Sequence, residues 1–259
     1  MLARPGVSEQ KLWKLERIGM SEIAKAALVI DWTQMPTYNT IMSVAAGAGM
    51  LTVVWLARAL QAGKPVRLEG YAVNFLVLGS ILTITGTHMT LTWPFAKYFP
   101  FDNIIFGEPS LGFGILLLGS AILLWRRRGL PETEDRGAEL ASVLAPLNVV
   151  IVGLGLALGA IAFAGLIFQL FAAPPEEPIS GAFAQWPWVE AIFMSGMFGL
   201  AGVGAVLFPL ALRGFRTGAD RTVWQWIAGI CIGLPGLGFF LFGALNFFTH
   251  IGLIINTMG

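Results

Sequence analysis

Long apolar stretches alternate with short polar segments along most of the chain. Six stretches approach or exceed the length of about 20 predominantly apolar residues that a helix needs to cross a hydrocarbon core about 30 Å thick. They run from Asn39 to Leu60, Tyr71 to Thr92, Pro109 to Trp125, Leu147 to Phe171, Trp188 to Leu212 and Trp224 to Phe248. The runs are continuous, which favours spanning helices over the alternating strands of a barrel. The pattern predicts an all-α, polytopic integral membrane helix bundle with about six transmembrane helices.

The composition strengthens this prediction. Hydrophobic residues make up 56% of the chain and charged residues only 12%, about half the charged fraction of an average soluble domain. The 32 glycines suit lipid-embedded helices, because small residues let helix backbones approach closely. No polar stretch is long enough to separate domains, so residues 39–259 are predicted to form one six-helix transmembrane domain. A similar rhythm in the two halves raises the hypothesis of an inverted repeat.

The segment before the first span, residues 1–38, has a different character. Apolar residues such as Leu12, Leu15 and Ile18 recur there at roughly helical spacing, and charged residues interrupt them. This is not the pattern of a cleavable signal. We expect an amphipathic N-terminal segment that lies on the membrane surface and turns into the first span at Pro36.

Basic residues indicate how the spans are oriented. Cytoplasmic loops collect Lys and Arg near the ends of the spans. The loops after spans one, three and five hold ten of the sixteen basic residues: Arg58, Lys64, Arg67, Arg126, Arg127, Arg128, Arg136, Arg213, Arg216 and Arg221. Six alternating spans place these loops on one side, so both termini are predicted to lie outside. The basic residues of the first 38 positions argue against this orientation, although acidic residues nearly cancel them.

The remaining polar residues gather near the predicted outer ends of the helices. No Asp, Glu, Lys or Arg falls in the middle of a span, which disfavours a central ion pathway. The candidates for a ligand pocket lie on several different spans at about the same level: Tyr38, Asn39, His88, Glu108, Glu190, Asn246 and His250. Asn246 and His250 are four residues apart and would share a helix face.

Three interpretations of these residues stay open. They can be structural, since polar side chains are common at the membrane interface. They can line an outward-facing pocket for a polar ligand or substrate. His88, Glu108, Glu190 and His250 can also bind a divalent transition metal, because imidazole and carboxylate are its usual ligands, and the two histidines can ligate a haem.

A motif around His88 carries a family resemblance. The chain reads Gly86-Thr87-His88-Met89-Thr90-Leu91-Thr92-Trp93-Pro94, followed by Asn103 and by Phe106-Gly107-Glu108-Pro109. With the opening run from Asp31 to Asn39, this resembles a prokaryotic membrane-protein family catalogued as domain of unknown function 981. The resemblance covers roughly residues 30 to 215 and leaves the sixth span with His250 outside. It implies a multi-span bacterial or archaeal membrane protein and no particular activity.

The sequence thus predicts a multi-pass protein of a prokaryotic plasma membrane, and it favours a transport, ligand-binding or accessory membrane protein over an enzyme acting on soluble substrates. The alternative is a subunit of a membrane redox complex that carries a metal, a haem or a quinone. Its predicted partners are the lipid bilayer and other membrane subunits or further copies of itself. The net charge of +1 gives no reason to expect nucleic acid.

Overall fold

Every predicted apolar stretch forms a long helix in the computed structural model, which describes residues 28–35, 38–129, 135–218 and 222–258. Within these residues six helical segments are long and apolar enough to cross a membrane, and no strand occurs. The helices are α1 (Asn39–Gln61), α2 (Leu68–Thr92), α3 (Glu108–Arg126), α4 (Arg136–Leu144), α5 (Asn148–Phe168), α6 (Pro187–Arg216) and α7 (Val223–Thr257). The prediction of an all-α bundle with six spans is confirmed. These six helices are compatible with a multi-pass membrane protein.

Several span ends differ from the sequence prediction. A helical lead-in precedes α3, with an α turn over Pro100–Asp102 and a π turn over Asn103–Gly107. The fourth span begins with the short helix α4, which a 3-10 turn over Ala145–Leu147 separates from α5. Proline cannot donate a backbone hydrogen bond, which explains a break in helix geometry at this turn. The last helix, α7, continues to Thr257, nine residues beyond the predicted end.

Most of the predicted N-terminal surface helix lies outside the described residues. Residues 28–35 are described, and they form an extended segment with a single 3-10 turn over Trp32–Gln34. Asp31 caps this turn, its Oδ1 accepting a hydrogen bond from the Thr33 amide at 3.1 Å. Asp31 also accepts hydrogen bonds from the Thr33 hydroxyl and the Gln34 side chain. Together these hydrogen bonds hold the pKa of Asp31 below its ordinary value, and the bond from the Thr33 hydroxyl contributes most. The boundary of the predicted N-terminal segment stays a prediction.

The six long helices form two halves of three. In the first half α2 packs between α1 and α3, and in the second half α6 packs between α5 and α7. Extensive contact between α1 and α7 joins the halves, whereas α3 and α5 touch only slightly. In each half, the second of the three helices along the chain therefore also lies between the other two in space. An inverted repeat would produce this arrangement, and the repeat itself stays a hypothesis.

Glycines permit the closest helix contacts. A Cβ atom on Gly47 of α1 would lie 2.6 Å from the carbonyl oxygen of Gly236 in α7. A Cβ atom on Gly155 of α5 would lie 2.8 Å from the carbonyl oxygen of Gly202 in α6. Both distances are below van der Waals contact, so a larger residue would force the helices apart. Backbone contact of this kind is typical of helices packed in lipid.

The two faces of the bundle differ in charge. The backbone amide of Ile30 donates a 3.1 Å hydrogen bond to the Thr257 carbonyl, so both ends of the described chain lie together. We call this side, which also carries the loops at 93–99 and 169–186, the terminal face. The opposite side carries the turns at 62–67, 127–129 and 217–218, and we call it the basic face. The arginine-rich loops lie there, as six alternating spans require.

Candidate cavity at the terminal face

A cavity of about 940 Å³ lies between the two halves and takes part of its wall from every long helix. Apolar side chains form most of the wall, with Met50, Phe113, Phe198 and Phe239 among them. Phe106, Phe171 and Phe198 contribute a cluster of rings whose centroids lie 5.5–6.3 Å apart. Most of the cavity wall therefore offers an apolar environment to any molecule that enters it.

His250 is the centre of the polar network at the terminal end of the cavity. Its Nδ1 lies 3.1 Å from the backbone carbonyl oxygen of Asn246, one helical turn earlier. A carbonyl can only accept, so Nδ1 carries the proton in the neutral ring and Nε2 is an acceptor. The side-chain amide of Asn39 in α1 meets Nε2 at 3.2 Å. The histidine thereby connects the two helices that join the halves.

Glu177 extends this network from the loop between α5 and α6. Its Oε1 lies 3.8 Å from Nδ1 of His250, and its side chain is only 10% exposed. Burial raises the pKa of Glu177, and a hydrogen bond with Thr249 opposes that shift. A carboxylate in this position lacks the hydration that stabilises its charge, so the site favours either a proton or a positive partner.

The loop that carries Glu177 is held by its neighbour. Oε1 of Glu176 accepts a 3.1 Å hydrogen bond from the Leu28 amide, and the Glu176 carbonyl accepts a 2.7 Å hydrogen bond from the Asn256 side chain. These bonds connect the loop to the N-terminal segment and to the end of α7. Ile179 has a positive φ of 68°, an unusual conformation for a branched residue that tertiary contacts must support. Glu176 and Glu177 thus point their carboxylates in different directions, and Glu177 lines the cavity.

Glu190 completes the acidic part of the lining. It lies in the first turn of α6, and its Oε2 accepts a 2.6 Å hydrogen bond from the Ala173 amide. The carboxylate therefore ties the beginning of α6 to the same loop. Asp102, in the lead-in to α3, also lines the cavity. Three carboxyl side chains consequently belong to the terminal end of the lining.

Asn246 carries an unused hydrogen-bond acceptor. The residue is only 6% exposed, it lines the cavity, and its Oδ1 has no hydrogen-bond partner. Leaving a buried polar atom unpaired costs about 1–3 kcal/mol, so native structures generally provide it with a partner. A donor on a molecule in the cavity would meet this need.

Residues 28–35, which we call the roof segment, cover this end of the cavity. Trp32 donates a 3.1 Å hydrogen bond from its indole Nε1 to the Thr257 hydroxyl. The Lys97 amide donates a 3.2 Å hydrogen bond to the Gln34 carbonyl. Ile30, Trp32 and Met35 line the cavity from above. The terminal face is thus covered by a short segment that is fixed to the chain at several points.

Four of the seven predicted site residues line the cavity and three do not. Asn39, Glu190, Asn246 and His250 belong to its wall. Tyr38 and His88 contact each other instead, with ring centroids 5.5 Å apart, and His88 is exposed. The buried face of α2 presents Met89, the next residue, which is fully buried. Glu108 is also exposed at the beginning of α3.

The predicted metal ligands are accordingly not assembled as one set. His88 and Glu108 lie outside the cavity lining that includes Glu190 and His250. In the described ranges no group of three or more His, Cys, Asp or Glu side chains is placed to hold a metal ion. The two predicted haem ligands, His88 and His250, likewise differ in placement, since only His250 lines the cavity. These residues lie near the same end of the bundle, but their helix faces differ.

Sequence reasoning missed Glu177 and Asp102. Glu177 lies in a loop, where a polar residue carries no positional signal, and it enters the cavity because the loop folds back over the bundle. Asp102 lies between the second and third predicted spans, in a segment that is in fact helical. A signal was available in the Asp102 case, because Pro100 is at the first position of this turn, a favoured place for proline at a helix start.

Comparison with known protein families places the chain. Residues 35–252 match the family described as protein of unknown function DUF981. The chain belongs to this family. The match includes the sixth span and His250, which the sequence motif alone had left outside the resemblance. No curated protein and no solved structure matches the chain.

The extent of the DUF981 match bears on the site. It begins at Met35, at the end of the roof segment, and covers Asn39, Glu177, Glu190, Asn246 and His250. The polar end of the cavity therefore belongs to the part of the chain that corresponds to the family. Residues 28–34, which form the rest of the roof, precede it.

Proposed function

We propose that this DUF981 protein binds a lipid-like amphiphile in its central cavity. The apolar part of the ligand lies between the two halves of the bundle, and its polar end lies at the terminal face. The observation that carries the proposal is the distribution of side chains along one cavity, with Met and Phe residues in the middle and Asn39, Glu177 and His250 at one end. Its volume of about 940 Å³ is within the range of small-molecule pockets, about 300–1,000 Å³.

The same distribution argues against a path for water or ions. A conducting pathway needs polar groups along its length to replace the hydration shell of the ion. The middle of this cavity instead presents the side chains of Met50, Phe198 and Phe239, which lie well inside their helices. A ligand with a long apolar portion replaces water there without leaving polar groups unpaired.

The slight contact between α3 and α5 supports entry from the bilayer. At Gly112 the nearest atoms that a Cβ would meet belong to the Leu154 side chain, at 3.4 Å, with no closer backbone contact. This is looser than the backbone contact between α1 and α7. A lipid-like molecule therefore has a route between the halves that does not pass through the polar terminal face.

We further propose a prokaryotic plasma membrane with the terminal face outside. The support is the concentration of arginines on the basic face, where Arg58, Arg127 and Arg213 lie close to helix ends. Lys and Arg in short loops are retained on the cytoplasmic side during insertion. The ligand's polar end would then lie in the outer half of the membrane.

A pair of leucine substitutions tests ligand binding. Leu154 lines the cavity, whereas Leu156, on the same helix, is 63% exposed on the outside of the bundle. Leu154→Trp should reduce the amount of co-purifying amphiphile and Leu156→Trp should not. Native mass spectrometry of the purified full chain and extraction of the bound lipid fraction measure the occupancy.

Ser110→Phe provides a second filled variant on the α3 wall, in case Leu154→Trp folds poorly. Thermal melting of every variant checks that the fold is intact. Equal occupancy in the wild type, both filled variants and Leu156→Trp would refute cavity binding, since the bound lipid would then belong to the outer surface. Complete absence of bound amphiphile from the wild type, even after incubation with one, would refute it as well.

A further inference from the structure

The polar end of the cavity is richer in acceptors than in donors. Glu177, Glu190 and Asp102 supply three carboxyl groups, and Asn246 supplies an amide oxygen without a partner. His250 uses Nδ1 as a donor to the Asn246 carbonyl and leaves Nε2 to the amide of Asn39. Its donor capacity is thus already used within the protein.

Cations that could balance the carboxyl groups lie elsewhere. Among the described residues that line the cavity, the one Lys or Arg is Arg58, which lies in the last turn of α1 at the basic face. Lys97 is on the terminal face, but its ammonium lies over the Tyr98 ring, 5.2 Å from the centroid, and it is not part of the lining. Buried carboxylates without a paired cation are costly, so a positive group from a ligand would stabilise this end.

We propose that the polar end of the bound amphiphile is an ammonium group, which Glu177, Glu190 and the Oδ1 atom of Asn246 receive. This rests on the proposed function and specifies its ligand class as a cationic lipid-like amine. The unpartnered, 94% buried side chain of Asn246 is the observation that singles out a ligand donor, independently of the acidic residues around it.

An ammonium fits these acceptors better than the other common head groups. It carries three donors and a positive charge, so it can serve the amide oxygen and a carboxylate together. A carboxylate or phosphate head would place like charges together. The carbonyls of an oxidised quinone only accept, and would leave Oδ1 of Asn246 without a partner. A hydroxyl head could donate one hydrogen bond but would not balance charge.

Three probes of one chain length separate these head groups. The full chain in a maltoside detergent is incubated with dodecylamine, dodecanol or sodium dodecanoate, and occupancy is read by native mass spectrometry over a concentration series. Each probe is compared between the wild type and variants, so that its partitioning into micelles cancels. We expect dodecylamine to bind the wild type and dodecanoate to bind least.

Two variants remove the proposed contacts, and a third is matched to them. Glu177→Gln keeps the shape of the side chain and removes its charge, and Asn246→Leu removes the free oxygen at similar volume. Each should weaken dodecylamine binding about tenfold, the usual size for the loss of a hydrogen bond to a charged group, and should weaken dodecanol binding less, because a hydroxyl loses only a neutral hydrogen bond. Glu108→Gln removes the same charge at an exposed position of the terminal face, outside the cavity lining, and should leave dodecylamine binding unchanged.

The outcomes distinguish this inference from the proposed function. Equal binding of all three probes, with loss in Leu154→Trp, would overturn the ammonium head and retain the cavity. An equal loss of dodecylamine binding in Glu108→Gln and Glu177→Gln would also overturn it, because a general surface charge would then explain the preference. Binding of none of the probes would refute the cavity proposal itself.

Discussion

Replacing Gly47 with alanine tests the contact that joins the two halves. A Cβ atom at this position would lie 2.6 Å from the Gly236 carbonyl oxygen and 2.8 Å from Cα of Phe240, both in the backbone of α7. Van der Waals contacts between heavy atoms are optimal at about 3.5–4.0 Å, so α1 and α7 would have to separate by about 1 Å. Backbone atoms cannot rotate away as a side chain does, and the whole interface takes up the displacement.

The size of the effect follows from overpacking. Inserting a methyl group into a well-packed interior costs about 1–3 kcal/mol, whereas replacing a helical glycine with alanine gains up to about 1 kcal/mol where space is free. Gly119 of α3 provides that control, because a Cβ there would meet nothing within 4 Å. For a chain of this size, 1 kcal/mol corresponds to about 2–4 °C in melting temperature. Gly47→Ala should therefore melt about 2–12 °C below Gly119→Ala.

The single cysteine provides the assay. Cys231 lies in α7 and is buried, so a thiol-reactive fluorophore reports its exposure as the bundle opens on heating. The two glycine variants are melted in the same detergent beside the wild type. A melting temperature of Gly47→Ala equal to or above that of Gly119→Ala would show that α1 and α7 do not meet through their backbones, and the arrangement of the halves would be wrong.

Three further measurements test other parts of the structure. Because burial raises the pKa of Glu177, the folded state binds its proton more tightly than the unfolded chain; the wild type should lose stability as pH rises above about 4.5, and Glu177→Gln should lose less over the same range. The Thr222 hydroxyl caps α7 by accepting a hydrogen bond from the Gln225 amide, so Thr222→Ala should lower stability by about 1 kcal/mol and reduce the melting temperature. An unchanged melting temperature would show that the cap is absent. In a Cys231→Ala background, a cysteine introduced at Met258 should react with an impermeant maleimide added to intact cells, while one at Gly129 should react only after lysis; the reverse result would invert the proposed orientation.

The arrangement of the polar residues shows how far a one-dimensional pattern reaches. The sequence places His88, Glu108, Glu190 and His250 near one level because each lies close to the end of an apolar run. It does not determine the rotation of each helix about its axis. Successive residues are about 100° apart around a helix, so the choice between His88 and Met89 as the inward residue depends on packing. In α2, Met89 is buried and His88 is exposed.

Loops show the same limitation more strongly. Glu177 enters the cavity because Glu176 is bonded to Leu28 and Asn256, which are 148 and 80 residues away along the chain. No local pattern encodes such contacts. Glu177, whose Oε1 lies 3.8 Å from Nδ1 of His250, could therefore not be identified as a site residue from its neighbours in sequence.

What the sequence alone determined is the number of spans, their helical character, the grouping of the basic loops on one side and the family motif. These follow from local requirements: an apolar run must be long enough to cross lipid, and its backbone must satisfy its own hydrogen bonds. Only the tertiary structure decided that the six helices form two halves around a cavity, and which polar residues face it. Those features depend on close contacts such as Gly47 with Gly236 and on long-range hydrogen bonds, which bring together residues far apart in the chain.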